Sequence, residues 1–468
     1  MFEFGYDDQE DFPNESRLAD LVSAYESQDS SSYFDSDALE EIASFYFDQA
    51  RFDAALLVID QLIETYPFSS DAWMRRGILL NNLGNHADAL EAYDRSLALN
   101  PVDPETIVNR GITLDTLNRS DEALEAYEAA LSLDPIHDDA LFNKGVTLER
   151  MERLEDAVQI FRQCVDTNEN HPEAWYELGY CYDRLGMDAQ SVEAYDRHID
   201  EDPYSCDAWY NRGIVLNRMK RFEDAVWSYD MAIAIKDDFA SAHYNKGNAL
   251  ANMNRLRPAV LSYNRVIELE GGDAATYYNV GLAYEELGEY EDAIHYFKKA
   301  LEEDRTYAEA WYGLGCCYDA RERHEEAIAL YKRAIGVSPD VAEFWYAKAD
   351  SESVVGDLKD AIVSYGTVVK IDPENRDAWL DYAETLYKAE RMEEALEAYR
   401  TALSLKPDCA GAYVQQAKAL LALGRPEESL RSLKMAFVID PKKKDEWQKA
   451  CPDLLTDMQV RRELGLDS

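Results

Sequence analysis

A small residue returns every 34 positions along this chain, and that interval restricts the fold more than any other feature of the sequence. Gly77, Gly111, Gly145, Gly179, Gly213, Gly247, Gly281 and Gly315 keep it, Ala349, Ala383 and Ala417 carry it onward, and Ala43 extends it upstream. If this residue is position 8 of a unit, position 4 is mostly large: Leu39, Trp73, Ile107, Leu141, Trp175, Trp209, His243, Tyr277, Trp311, Trp345, Trp379 and Tyr413. Position 20 is alanine or serine throughout, and position 24 is usually an aromatic ring, from Tyr93 and Tyr127 to Tyr399. Pro67, Pro101, Pro135, Pro203, Pro339, Pro373, Pro407 and Pro441 share position 32, which 14 prolines scattered over 468 residues would not do by drift. A fixed period of this length builds a stack of like units, none able to bury its apolar face alone.

Inside each unit the spacing is that of a helix. Trp73, Gly77 and Leu80 share one helical face, and Ala89 with Tyr93 makes the matching face of a second helix. Glycine at position 8 costs ~1 kcal/mol of helix propensity, acceptable where a neighbouring helix must approach the backbone closely. Gly84, Asn118, Gly186, Asn254, Gly288, Gly356 and Gly424 fall between the two helices, where a left-handed residue ends the first. Proline then stops the second.

A charge correlation links neighbouring units. Position 7 is basic at Arg76, Arg110, Lys144, Arg212 and Lys246, and sixteen residues upstream of each stands an acid: Asp60, Asp94, Glu128, Asp196 and Asp230. Where position 7 is apolar, at Leu178, Val280 and Leu314, the upstream residue is Arg162, Asn264 or Lys298. Ion pairs between successive units are therefore expected, with Lys332 and Lys348 as the exception to the rule.

These columns resemble the tetratricopeptide repeat, whose Trp, Leu-Gly, Tyr, Ala, aromatic and Pro pattern reads here in twelve copies over residues 36–443. The resemblance implies an all-α fold, an α-solenoid of tandem helix-turn-helix repeats forming one continuous right-handed superhelix. A break would be sought first at Gly271 and Gly272. Residues 1–35 form an acidic N-terminal segment with a candidate capping helix over 16–27, where Leu18, Leu21, Val22 and Tyr25 keep helical spacing. Met1 to Phe12 is expected to be mobile. Residues 444–468, with Trp447, Leu454 and Leu455, are expected to form a C-terminal capping helix.

Composition excludes several functions. Aspartate and glutamate number 93 against 47 lysines and arginines, a net charge of -46. Such a chain is expected to bind neither nucleic acid nor an anionic membrane surface, since both need clustered cations. No run approaches the ~18 apolar residues of a membrane span, and the start is acidic where a secretory signal needs a basic one, so the expected compartment is the cytoplasm. Seven cysteines without paired short spacings suggest neither a disulfide framework nor a zinc site. Cys164, Cys181 and Cys317 take small inward positions of the repeat, which reads as core packing. The histidines are scattered about one per repeat, and there is no Gly-rich phosphate loop, Gly-x-Ser-x-Gly or His-Glu-x-x-His. No catalytic residue, metal or cofactor is expected.

Function is then sought on the inner face of the solenoid, at positions 2, 5, 6, 9, 12 and 13 of the first helices. The resemblance implies that this groove binds an extended peptide or a protein partner. Position 6 gives Asn109, Asn143, Asn211, Asn245 and Asn279, whose amides can bond both backbone groups of a peptide. Position 5 gives Tyr176, Tyr210, Tyr244, Tyr278 and Tyr312, rings that either floor the groove or pack between first helices. Position 13 gives Arg150, Arg184 and Arg218, followed farther along by Glu285, Glu286, Asp319 and Asp350. An acidic partner segment would suit the first stretch and a basic one the second. The reading is a non-catalytic interaction scaffold. The alternative is a structural repeat protein that self-assembles, its acidity serving solubility at high salt. Neither the identity of the partner nor the oligomeric state is written in the sequence.

Overall fold

Each 34-residue unit becomes two helices joined by a short turn. The computed structural model describes residues 12–27 and 34–444, and these are helix and turn. Helix α1 (Phe12–Glu26) comes first, and twelve pairs follow, from α2 (Ser36–Asp48) and α3 (Phe52–Thr65) to α24 (Ala410–Ala422) and α25 (Pro426–Ile439). The architecture is an all-α solenoid of tandem helix-turn-helix repeats. It divides into two units between α13 (Phe222–Ile235) and α14 (Ala240–Asn252): the first ends at Asp237 and the second begins at Asp238. The junction at Gly271 and Gly272 carries no insertion; Gly271 closes α15 (Leu256–Glu270) at a φ of 81°.

The pairing of positions 8 and 24 has a steric cause. A Cβ placed on Gly213 would stand 2.5 Å from Cε1 of Tyr229, so the ring fills the space a side chain would need. Tyr93, Tyr127, Phe161, Tyr195, Tyr229, Phe297 and Tyr331 are among the largest side chains buried in this way. Where position 20 is serine it bonds the same neighbour: Ser191 Oγ donates to the Gly179 carbonyl at 2.8 Å and Ser429 Oγ to that of Ala417 at 2.9 Å.

Tryptophan at position 4 does more than fill volume. Its indole Nε1 donates to the carbonyl six residues back, closing the turn from the preceding repeat: Trp73 to Pro67 at 3.1 Å, Trp175 to Glu169 at 2.8 Å, Trp209 to Pro203 at 3.0 Å. Trp311, Trp345 and Trp379 do the same to Arg305, Pro339 and Pro373.

All seven residues expected in the left-handed region at the inter-helix turn have positive φ, between 57° and 86°. Ala50, Glu152, Lys220, Glu322 and Glu390 adopt it too. For these side chains the conformation costs ~1–2 kcal/mol, which the packing of the two helices on either side must overcome.

Four of the five expected ion pairs form. Arg76 reaches Asp60 at 2.8 Å, Arg110 reaches Asp94 at 2.9 Å, Lys144 reaches Glu128 at 3.1 Å and Arg212 reaches Asp196 at 2.6 Å. The fifth pair, Asp230 and Lys246, has one member in each unit. Lys348, the exception, turns inward: its Nζ lies 2.6 Å from Glu352 Oε1, in charge contact without hydrogen-bond alignment, and donates to Ser364 Oγ at 2.7 Å. Ser364 Oγ is also 2.7 Å from Glu352 Oε2, and both charged side chains are buried.

Helix α1 packs Leu18, Leu21, Val22 and Tyr25 against the cluster of Leu39, Ile42 and Ile59. Arg17 pairs with Glu41 at 3.2 Å, and Tyr46 donates to Glu26 at 3.1 Å. The expectations for Met1 to Asp11 and for Trp447, Leu454 and Leu455 lie outside the described residues.

Candidate peptide-binding face

The first helices present positions 2, 5, 6, 9, 12 and 13 as one row of side chains in each unit. At the start of the first unit this row encloses a cavity of about 270 Å³. Ser44, Phe47 and Asp48 come from positions 9, 12 and 13 of the first repeat, Met74, Arg75 and Ile78 from positions 5, 6 and 9 of the second, and Glu105 from position 2 of the third. Its floor is apolar and its rim charged. Arg75 is held there by Asp71 at 2.9 Å and, more loosely, by Ser44 Oγ at 3.4 Å. A space smaller than the ~300–1,000 Å³ of small-molecule sites suits one or two side chains of a peptide.

The asparagine ladder is half-buried, and its amides are partly engaged. Asn109 and Asn143 donate to carbonyls of their own helix, Glu105 at 3.0 Å and Asp139 at 2.8 Å. Asn211 and Asn279 instead donate to the tyrosine hydroxyl one repeat back, Tyr176 at 3.0 Å and Tyr244 at 2.9 Å. Each bond uses one amide hydrogen and fixes the rotamer. Asn245, like the rest of the ladder, is half-buried.

The tyrosines at position 5 pack edge-on or tilted against the position 24 ring of their own repeat. Ring centroids are 5.8 Å apart for Tyr176 and Tyr195, 6.1 Å for Tyr210 and Tyr229, 5.8 Å for Tyr244 and Tyr263, and 5.7 Å for both Tyr278 with Phe297 and Tyr312 with Tyr331. All five are half-buried. Burial pushes the Tyr278 hydroxyl up to about 12, and that of Tyr312 also rises.

Each of the three arginines reaches back to an acid. Arg150 pairs with Asp115 at 2.6 Å, Arg184 with Glu152 at 2.7 Å, and Arg218 with both Asp183 at 2.5 Å and Asp188 at 2.6 Å. They join successive repeats as salt bridges and present a locally balanced charge. Farther along, Asp319 bonds His324 at 2.5 Å and Ser351 at 3.0 Å, and Asp350 accepts from the Tyr365 hydroxyl. Burial holds Asp350 above the usual carboxylate range and pushes Glu285 up to about 7, with the charge of Glu286 adding to it. Glu177 stands at position 6, where five other repeats have asparagine. Burial, the charge of Glu149 and a hydrogen bond shared with it raise Glu177 well above the usual range.

Sequence reasoning did not single out Phe47, Met74 or Arg75, because it looked for identities that recur from unit to unit. These three do not recur, whereas Ile78 does, as Ile112 and Ile214. Carrying the same six positions back into the first two repeats would have found them.

Two family models, both described as tetratricopeptide repeat, match along the chain. One covers residues 41–104, 108–170, 148–205, 244–307 and 346–410, the other 285–350 and 386–451. The chain belongs to the tetratricopeptide repeat family. Among solved structures, YrrB, described as a tetratricopeptide repeat protein with an unusual peptide-binding site, is 26% identical over 42% of this chain and 97% of its own, with a TM-score of 0.35. The C-terminal part of a repeat protein from Cytophaga hutchinsonii is 15% identical over 53% of this chain and 99% of its own, with a TM-score of 0.46. MamA is 23% identical over 36% of this chain and 97% of its own, with a TM-score of 0.34. No curated protein matches. Like other tetratricopeptide repeat chains this one is built as an interaction scaffold, and among its described residues no helix is long and apolar enough to cross a membrane.

Proposed function

We propose that this tetratricopeptide repeat protein is a non-catalytic adaptor that holds an extended peptide of a protein partner along the inner face of its first helices. The cavity beside Phe47, Met74 and Ile78 carries the reading: it is lined by the six positions singled out from the repeat frame, it has an apolar floor, and its volume fits a side chain. Asn109, Asn143, Asn211, Asn245 and Asn279 would bond the backbone of the peptide, and Tyr176, Tyr210, Tyr244, Tyr278 and Tyr312 would give it apolar contact. Pre-set rotamers favour this use, since side chains fixed before binding lose less entropy on it. Arg150, Arg184 and Arg218 would meet a partner carboxylate only by sharing their present acids, which makes them the weakest contributors of the set.

A photo-crosslinking residue at position 78 and the paired change Met74→Glu with Ile78→Glu test the reading. Crosslinks to one partner segment, lost in the paired variant at unchanged melting temperature, are expected. Crosslinks that persist in the paired variant would remove the cavity from the site, and crosslinks only to copies of this chain would favour self-assembly.

A further inference from the structure

We infer that Asp138, Cys164 and His171 form a binding site for one divalent transition-metal ion of the zinc class, at the junction of the fourth and fifth repeats. Asp138 opens α8 (Asp138–Arg150), Cys164 lies late in α9 (Leu154–Thr167), and His171 precedes α10 (Pro172–Arg184). One ligand atom from each falls within 4.8 Å of the others. Cys164 Sγ is 3.4 Å from Asp138 Oδ1, and His171 Nε2 is 4.0 Å from the same oxygen. Zinc bonds of ~2.0–2.3 Å in a tetrahedron put neighbouring ligand atoms about 3.4–3.6 Å apart. The thiol and carboxylate are already at that separation, and a small rotation of the imidazole completes the set.

The surroundings orient these three groups. Asn168 Nδ2 donates to Asp138 Oδ2 at 2.8 Å, so Oδ1 is the oxygen turned to the thiol. The His171 ring stacks on Phe142, with centroids 4.9 Å apart. Its Nδ1 lies 3.3 Å from Glu173 Oε2, the carboxylate–imidazole contact that commonly backs a metal-bound histidine. In the present arrangement Nδ1 accepts from the Ala174 backbone N–H at 3.2 Å. On metal binding the single ring proton moves from Nε2 to Nδ1 and is donated to Glu173, Nε2 bonds the metal, and the thiol proton leaves to solvent as the metal–sulfur bond forms. Burial and Asp138 push the thiol up to about 12, so the metal has to displace a tightly held proton. The Asp138 side chain is 41% exposed, and with three protein ligands the fourth position of a tetrahedral ion would fall to water.

The repeat frame does not require this cluster. Position 27, held by Cys164, is alanine at Ala130, Ala232, Ala300, Ala334, Ala402 and Ala436, and position 34, held by His171, is serine at Ser69 and Ser205. No other repeat combines an acid at position 1, a thiol at 27 and an imidazole at 34. The core-packing reading of Cys164 accounts for its burial but not for the polar wall it faces.

Titration of the reduced, metal-free full chain with Co²⁺ tests the site. One equivalent should bind with thiolate-to-cobalt absorption in the near ultraviolet and tetrahedral bands in the visible, both abolished by Zn²⁺. Cys164→Ala and His171→Ser should each lose that signal, while Cys181→Ala, a buried cysteine elsewhere, should keep it. Both variants carry residues that other repeats use at the same positions, and Ser69 and Ser205 cap their helices as His171 does, so the helical fold should survive. Absence of a thiolate band in the parent protein, or its persistence in Cys164→Ala, overturns the proposal.

Discussion

In the repeats before Asp237, successive helix pairs are joined by ion pairs that range from exposed to half-buried: Arg76 to Asp60, Arg110 to Asp94, Lys144 to Glu128, Arg212 to Asp196, with Arg150, Arg184 and Arg218 adding a second row. In the repeats after Asp238, position 7 runs Lys246, Val280, Leu314, the inward Lys348, Tyr382 and Gln416; ion pairs such as Arg257 to Glu289 and Arg321 to Glu291 still join repeats, and beside them stand bonds from phenols to carboxyl groups, Tyr346 to Asp381 between repeats and Tyr365 to Asp350 within one. The later repeats thus add buried carboxyl groups and a buried ion pair to the salt bridges that both units use. Exposed pairs add little and are screened by salt. Buried carboxyl groups respond to pH, and a buried ion pair to the loss of either partner. The first unit also holds a carboxyl pair, Glu149 and Glu177, in a half-buried place.

The largest expected effect is at Lys348. Truncation to alanine leaves Glu352 buried without its cation and should cost about 3–5 kcal/mol in chemical unfolding, a loss that persists at high salt. Lys348→Met combined with Glu352→Met should recover most of it. A cost as small as that of the exposed pairs would erase the contrast between the units.

Glu285 comes next. Its folded value of about 7 exceeds the ordinary 4.5, so the folded state holds the proton more tightly than the unfolded chain. The stability this gives is full below about 4.5 and is lost as pH rises through about 7. Glu285→Gln should therefore melt above the parent protein at pH 8 and together with it at pH 4; equal melting at both would return Glu285 to the surface class.

Asn211→Ala and Asn279→Ala each remove a bond to the preceding tyrosine and should cost about 0.5–1.5 kcal/mol. Asn109→Ala and Asn143→Ala remove only a bond within one helix and should change the melting temperature less. The smallest effect belongs to Arg76→Ala and Arg110→Ala, about 0–1 kcal/mol each, fading in 1 M salt, where the screening length is ~3 Å. A loss that survives such salt would show that these side chains contribute by packing on Trp73 and its equivalents rather than by charge.

The helices, the ring over Gly213 and four inter-repeat pairs were legible in the sequence because each depends on a residue type recurring at a fixed interval. What recurs in place but not in type was harder to read. Ala50 and Glu390 take the left-handed turn only because two packed helices force it, and nothing in their side chains announces this. Lys348 broke the charge rule because its acid lies one turn away on its own helix instead of sixteen residues upstream. The cavity at Phe47, Met74 and Arg75, assembled across repeats, and the cluster of Asp138, Cys164 and His171 within the fourth were missed for the same reason: each is a combination of residues that occurs once.

The tryptophan hydrogen bonds at position 4 have a mechanical consequence. Trp73, Trp175, Trp209, Trp311, Trp345 and Trp379 each latch a first helix to the turn before it, whereas Ile107 and Leu141 carry no donor at that place. Pulled from its ends, a chain of this kind should yield first where the latch is missing, and neighbouring latched repeats should come away as blocks. Within the first unit, the third and fourth repeats would then be compliant links between the stiffer second and fifth.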